Sequence, residues 1–116
     1  MKLIHAIIRP ERLEAVQREL RAVLDEQDNY RITVSPVRGH GAQRGEMEYV
    51  RGQAVQPPMV ERTQVMIAVN DQYAEPAVQA IMKGARTGTV GDGKIFVQPL
   101  EDCIKIRTGD RGSAAI

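Results

Sequence analysis

The sequence predicts an α+β fold, a split β-α-β sandwich with its helices on one face of an antiparallel sheet. Three observations carry that reading. Strand-like apolar runs occupy residues 3–8, 32–37, 63–69 and 94–97. Apolar residues recur at helical spacing over residues 13–24 and 77–85. The two patterns alternate in the order β-α-β-β-α-β, followed by a short extra C-terminal strand. With 116 residues the chain has room for one domain, 1–116, with a modest core.

The first strand, residues 3–8, is stopped by Pro10. Leu13, Val16, Leu20, Val23 and Leu24, with Glu, Arg and Gln between them, predict an amphipathic helix of about four turns. The polar cluster from Asp25 to Asn29 ends it. Pro36 places the second strand at a sheet edge or on a bulge, because proline cannot donate to a ladder. The third strand alternates and then becomes fully apolar. Asn70 and Asp71 are natural helix caps, and Ala77, Val78, Ile81, Met82 and Ala85 form one helical face. Proline is tolerated in an opening turn, so Pro76 predicts a helix start near Glu75. Residues 94–97 and 102–107 read as the last strands. Helices on one side leave the other sheet face bare and apolar, which predicts an oligomer.

Composition narrows the function. Lys plus Arg total 16 against 15 Asp plus Glu, so the net charge of +1 argues for neither nucleic acid nor anionic membrane as the main partner. No apolar run is long enough to cross a bilayer, and residues 1–5 lack a signal peptide's apolar segment, so the expected location is the cytoplasm without membrane insertion. Cys103, in a strand-like run, reads as a buried, inert thiol. RNA-binding domains of this architecture need exposed aromatics for base stacking, and one Phe with three scattered Tyr does not supply that platform.

Between the second and third strands, residues 39–62 show no clear periodicity and hold Gly39, Gly41, Gly45, Gly52 and the pair Pro57-Pro58. So long a connection in so small a domain is either a loose hairpin or an arm that reaches a ligand or partner. Residues 87–94 are the most specific stretch. Gly88 to Lys94 has the G-x-x-x-x-G-K spacing of a phosphate-binding P-loop, but Ile95 replaces the Ser or Thr that holds magnesium. The context is inverted as well, since this loop follows a helix and enters a strand. Gly88, Gly91 and Gly93 still allow positive φ and close backbone approach to an anion. Lys94 adds a charge at the loop's exit. Lys105 and Arg107, two apart in a strand, would project together while Ile104 and Ile106 face the core. Three cations beside a glycine cradle suit a polyphosphate, with Arg107 able to grip an oxygen pair.

Residues 1–10, 33–41, 85–96 and 104–109 together resemble the PII signal-transduction proteins, and the resemblance covers nearly the whole chain. It implies a homotrimer of ferredoxin-like subunits with ATP and ADP, and in some settings AMP, competing for clefts between subunits. Gly91, Asp92, Gly93 and Lys94, in a B-loop at about 87–94, would cradle phosphates from one subunit. Lys105 and Arg107, in a C-terminal segment at about 102–116, would reach in from the neighbour. Ile7, Thr33, Gly39, Gly41 and Ala68 would lie near the base and sugar. Gln43 matches the glutamine that helps ligate nucleotide-bound magnesium and engages 2-oxoglutarate. Arg62 stands where the family has a lysine that pairs with that effector. A T-loop at about 41–58 would reorganise with ligand and contact a regulated protein such as a membrane transporter, making the chain a sensor of nitrogen or carbon status.

Departures from the family pattern point to a divergent branch. Ala42 replaces an arginine, Val55 the tyrosine that some members uridylylate, and Gln53 a phosphorylated serine. Tyr49 is out of register. Arg62 and Lys105 exchange point charge and planar fork in opposite directions. The alternative function is a carbon-linked sensor of ADP or AMP and bicarbonate that regulates inorganic-carbon uptake and ignores 2-oxoglutarate. A weaker alternative is slow ATP hydrolysis with Asp92 as base beside Lys94. No carboxylate pair, nucleophile–histidine pair or metal-ligand cluster supports an enzyme, and His5 and His40 read as a strand residue and a loop-base residue.

Overall fold

The computed structural model describes residues 1–24, 30–40, 48–50, 53–55 and 59–116. Strands β1 (Lys2–Ile8), β2 (Ile32–Gly39), β5 (Val60–Val69) and β6 (Lys94–Pro99) form one sheet in the order β2-β5-β1-β6, and every neighbouring pair is antiparallel. This is the ferredoxin-like arrangement. Pro36 does lie in an edge strand, β2. Strands β3 (Glu48–Val50) and β4 (Gln53–Val55) pair with each other inside the long connection. Paired strands within that connection were not expected. Their signal is slight: the β-favouring residues Tyr49, Val50 and Val55 on either side of Gly52.

Helices α1 (Leu13–Val23) and α2 (Asp71–Ala85) cover one face of the sheet. Even-numbered residues of β1 (Ile4, Ala6, Ile8) and odd-numbered residues of β5 (Val65, Ile67, Val69) point toward them. Val16, Leu20 and Leu24 from the first helical segment, and Ala77, Ala80, Ile81 and Ala85 from α2, complete the core. Small residues on α2 let the helices close up. A Cβ on Gly84 would sit 2.6 Å from Val16 Cα, so the backbones touch where a side chain cannot fit. Arg12 Nε donates to the Gly84 carbonyl at 2.8 Å across the same contact.

Five expectations need correction. Helix α2 starts at Asp71, not near Glu75, and Pro76 lies inside it. The missing proline N–H would have served the carbonyl of Gln72, an exposed residue whose carbonyl can turn to water, so the loss is tolerable. Asn70 occupies the cap position, but its side chain donates to the Ser113 carbonyl at 3.2 Å instead of capping.

Residues 102–107 form no strand; only an isolated bridge joins Ile104 to Arg111. The segment closes on itself through Lys105 N–H to Asp110 O (2.9 Å) and Gly109 N–H to Lys105 O (2.7 Å). Asp102 accepts from the Cys103 and Gly112 N–H groups at 2.8 and 3.1 Å. These local bonds satisfy the backbone without a partner strand. Ile104 and Ile106 therefore do not face the core; they are 50% and 99% exposed. Cys103 is half-buried in this irregular segment, not in a strand core.

The sheet face away from the helices is bare, as expected, but mixed in character. By register it carries Leu3, His5, Ile7, Met66 and Phe96 together with Gln64, Thr33, Ser35, Lys94 and Gln98. His5 and Gln64 join side chains there at 3.0 Å.

Candidate functional site

The chain leaves α2 at Arg86 and turns through residues 87–93 before entering β6. Gly88, Gly91 and Gly93 adopt φ of 87°, 99° and 102°, so the positive backbone angles expected of them are present. Gly93 has a second constraint. A Cβ there would lie 1.7 Å from the Ile7 carbonyl oxygen, so only glycine lets this loop press against β1.

Asp92 organises the loop. Its Oδ2 accepts from the N–H groups of Thr87 (2.8 Å) and Gly88 (2.9 Å). Its Oδ1 accepts from the Thr87 hydroxyl and from Arg9 Nε at 3.3 Å. The Thr87 hydroxyl, then the Thr87 N–H, with the Gly88 N–H and Arg9 adding, hold the Asp92 carboxyl well below the usual carboxylate range, against a smaller opposing effect of desolvation. A carboxylate so engaged is a poor base, which weakens the Asp92-as-base alternative. Arg9 extends the brace through its Nη2, which donates to the Val90 carbonyl at 2.7 Å and to Thr89 Oγ1 at 3.1 Å. Among the described residues, the N–H groups of Val90 and Gly91 meet no acceptor, so the crest of the loop keeps donors for an anion.

This loop forms one wall of a cavity of about 660 Å³ on the bare side of the sheet. That volume falls in the range of small-molecule sites. Ile7 sits at its floor, in register with Gln64 on one side and Lys94 on the other. Val37 and Phe96 supply apolar surface, and Arg38, Gly39 and His40 mark the rim where β2 ends. Arg62 and Lys94, whose side chains share the bare face by register, make the wall cationic. A smaller cleft of about 410 Å³ between α2 and the β1–β6 edge is lined mainly by Ile8, Val78, Ile81, Met82 and Ile95, and suits an anion less well.

Ile7, Gly39, Arg62, Gly91, Asp92, Gly93 and Lys94 thus meet around one space. Thr33 and Ala68 do not line it; they lie further along the same sheet face, in register with Met66 and Leu3. Lys105 and Arg107 stand in the exposed C-terminal turn, away from the cavity. Gly41 and Gln43 lie outside the described residues. Arg9, Arg38, His40, Gln64, Thr89, Val90 and Phe96 went unanticipated. Gln64 and Phe96 had a signal, being two residues from Arg62 and Lys94 on their strands. Arg9 is 83 positions from Asp92, and no local pattern shows that approach. Among the described residues, no group of three His, Cys, Asp or Glu side chains gathers to hold a metal. No described helix is long and apolar enough to cross a membrane.

Comparison with known proteins identifies the family. The family profile described as "Nitrogen regulatory protein P-II" matches residues 1–110. The chain is 48% identical to "Nitrogen regulatory protein GlnK1" of Methanosarcina mazei over 118 aligned residues, covering 100% of this chain and 97% of that one. It is 41% identical to "Nitrogen regulatory protein P-II 2" of Methanothermobacter thermautotrophicus, with 100% and 97% covered. Against "Nitrogen regulatory protein P-II" of Nostoc punctiforme it is 40% identical, with both chains fully covered. A profile match of that length, and relatives aligned end to end over one ferredoxin-like fold, lead to a single conclusion: the chain belongs to the P-II family of nitrogen regulatory, signal-transducing proteins.

Proposed function

We propose that the protein is a homotrimeric regulator that binds ATP and ADP in the 660 Å³ cleft and controls a partner, such as a membrane transporter, through residues 41–58. It acts in the cytoplasm as a sensor, not as a catalyst. The single observation that carries this reading is the pre-braced glycine loop facing Arg62 and Lys94 across one cavity. A polyphosphate needs backbone donors and cations held before it arrives, and this loop is held by Asp92 and Arg9 with the donors at its crest still available.

The chain's own residues divide the work. Gly91 and Gly93 bring backbone close to the phosphates, Lys94 adds a point charge, and Ile7, Val37 and Phe96 offer apolar surface to base and sugar. Thr33 and Ala68, further along the same face, extend that surface, and Gly41 is assigned to the same ligand. Arg62 faces the same space and pairs with a small dicarboxylate such as 2-oxoglutarate. Gln43 accompanies nucleotide-bound magnesium, which neutralises phosphate charge when present. Lys105 and Arg107 complete the cleft of a neighbouring subunit. The bare sheet face, with Phe96 53% exposed, and the fully exposed Ile106 support association of copies.

Calorimetric titration with ATP, ADP and AMP, each with and without 2-oxoglutarate or bicarbonate, tests this reading. ATP binding strengthened by 2-oxoglutarate is the expected result. A response to bicarbonate alone, with ADP or AMP preferred, would establish the carbon-linked alternative. No binding of any nucleotide would overturn the proposal. Light scattering should return the mass of a trimer.

A further inference from the structure

Lys105 and Arg107 ride on a unit, residues 102–112, that closes on itself and is held to the rest of the subunit at its two ends. The Ile104–Arg111 bridge, the Gly112 N–H to Cys103 O bond (3.0 Å) and the Arg111–Asp102 ion pair (3.2 Å) close it. A segment closed in this way moves as one piece, so its direction depends on what fastens its ends. On the entering side, the Leu100 N–H donates to the Met1 carbonyl at 3.0 Å. On the leaving side, Asn70 Nδ2 donates to the Ser113 carbonyl at 3.2 Å, and Ala115 is buried just beyond. Among the described residues, the Asn70 bond is the one side-chain hydrogen bond between residues 101–116 and the rest of the subunit.

Asn70 makes that bond at the expense of its local role. It holds the N-cap position of α2 with φ of −69° and ψ of 156°, the extended backbone a cap adopts, and asparagine is among the best capping residues. Yet its oxygen caps nothing, and the Tyr73 N–H, a usual partner, donates to the Asn70 main-chain carbonyl at 2.9 Å. Asn70 Oδ1 is buried and, among the described residues, has no partner, an arrangement that costs free energy. A carbonyl only accepts, so the atom facing Ser113 must be the amide nitrogen. Turning the amide over would set two acceptors face to face.

We infer that Asn70 is a positioning residue for the C-terminal unit, giving up the helix cap to set the direction in which Lys105 and Arg107 are presented. It acts through the Ser113 carbonyl and touches no ligand itself. This rests on the nucleotide reading for what the two cations meet, a phosphate group in a neighbour's cleft, but not for how they are held.

Asn70→Ser separates the two roles, because it keeps a capping oxygen and removes the amide donor. Asn70→Asp does the same in nearly the original shape and sets an acceptor against the Ser113 carbonyl. Ser113→Ala, which keeps the main-chain acceptor, is the control. In both Asn70 variants the backbone NMR order parameters of residues 103–112 should fall together from the rigid level of about 0.85, while the Gly109 and Gly112 amides keep their exchange protection. ATP should bind about three- to tenfold more weakly, the scale of one lost hydrogen bond, with the unfolding midpoint at or above that of wild type. Ser113→Ala should match wild type throughout. Unchanged order parameters in Asn70→Ser would overturn the inference, as would full ATP affinity despite a loosened unit. A midpoint that drops in step with ATP binding would also overturn it, since the role would then be structural only. If wild type binds no nucleotide while the unit still loosens in Asn70→Ser, the nucleotide reading falls and the positioning role stands.

Discussion

Residues 87–94 and 101–111 make an instructive pair. Each is short, carries glycine at positive φ and bears cations, yet they are held by different kinds of bond. The first is tied to distant parts of the chain. Arg9 reaches across from the end of β1, and Gly93 packs on the Ile7 carbonyl. The second is tied almost wholly to itself, through Asp102, Asp110 and the Ile104–Arg111 bridge. Tertiary contacts give the first loop one position relative to the sheet and so make it part of a site. Local bonds give the second a shape, but they leave its cations and Ile106 facing solvent, where another surface must supply the orientation.

The largest way to break this contrast is Gly93→Ala. The added Cβ would collide with the Ile7 carbonyl at an unfavourable φ, so we expect a loss of about 3 kcal/mol in denaturant unfolding together with nucleotide binding. An unchanged midpoint would mean that the loop is not seated on β1.

Next in size is the cation pair. Lys94→Ala and Arg107→Ala should each weaken ATP by about tenfold to a hundredfold, the worth of a charge-assisted contact. They should do so differently. Trimers reassembled from a mixture of the two variants should regain wild-type sites if Arg107 serves a neighbour's cleft. Failure of the mixture to recover would place both residues in one subunit's site and erase the distinction between the two segments.

A smaller effect is expected from acid. The Asp92 carboxyl lies below its ordinary value of 3.8 because the Thr87 hydroxyl, the Thr87 and Gly88 N–H groups and Arg9 favour its charged form. Its contribution to stability is therefore complete above that ordinary value and fades as the pH falls below it toward the lowered folded-state value. Unfolding midpoints measured from about pH 6 down to about pH 2 should show Asp92→Asn less stable at the upper end and converging with wild type in acid. Parallel curves would remove Asp92 as the brace.

The smallest is Ile106→Ser, which should shift stability by less than about 0.5 kcal/mol in the isolated subunit because the side chain is 99% exposed. A larger loss in the assembled protein, measured as concentration-dependent unfolding, would show that another copy covers it.

Much of the fold was legible because the core-facing pattern is periodic. Ile4, Ala6 and Ile8 alternate, Val65, Ile67 and Val69 alternate, and Val16 and Leu20 are one helical turn apart, so strand, strand and helix declared themselves. The glycine loop was legible for the same local reason, since turn chemistry is written in adjacent residues. Pro36 at an edge followed from its missing donor. The C-terminal strand was misread because alternation of Ile104, Lys105, Ile106 and Arg107 carries the same period whether or not a partner strand exists.

The sequence by itself determined the order of elements, the positions able to take positive φ, and the types of residue available to meet an anion. Only the tertiary structure decided which of them meet. It set Arg9 against Asp92 and placed Arg62, Lys94 and Phe96 around Ile7. It bound Arg38 to Glu61 and left Lys105 and Arg107 outside. The physical reason is range. Backbone conformation answers to neighbours a few residues away, whereas a binding site is an agreement among strands whose register is set by burying one sheet face, and that burial involves the whole chain at once.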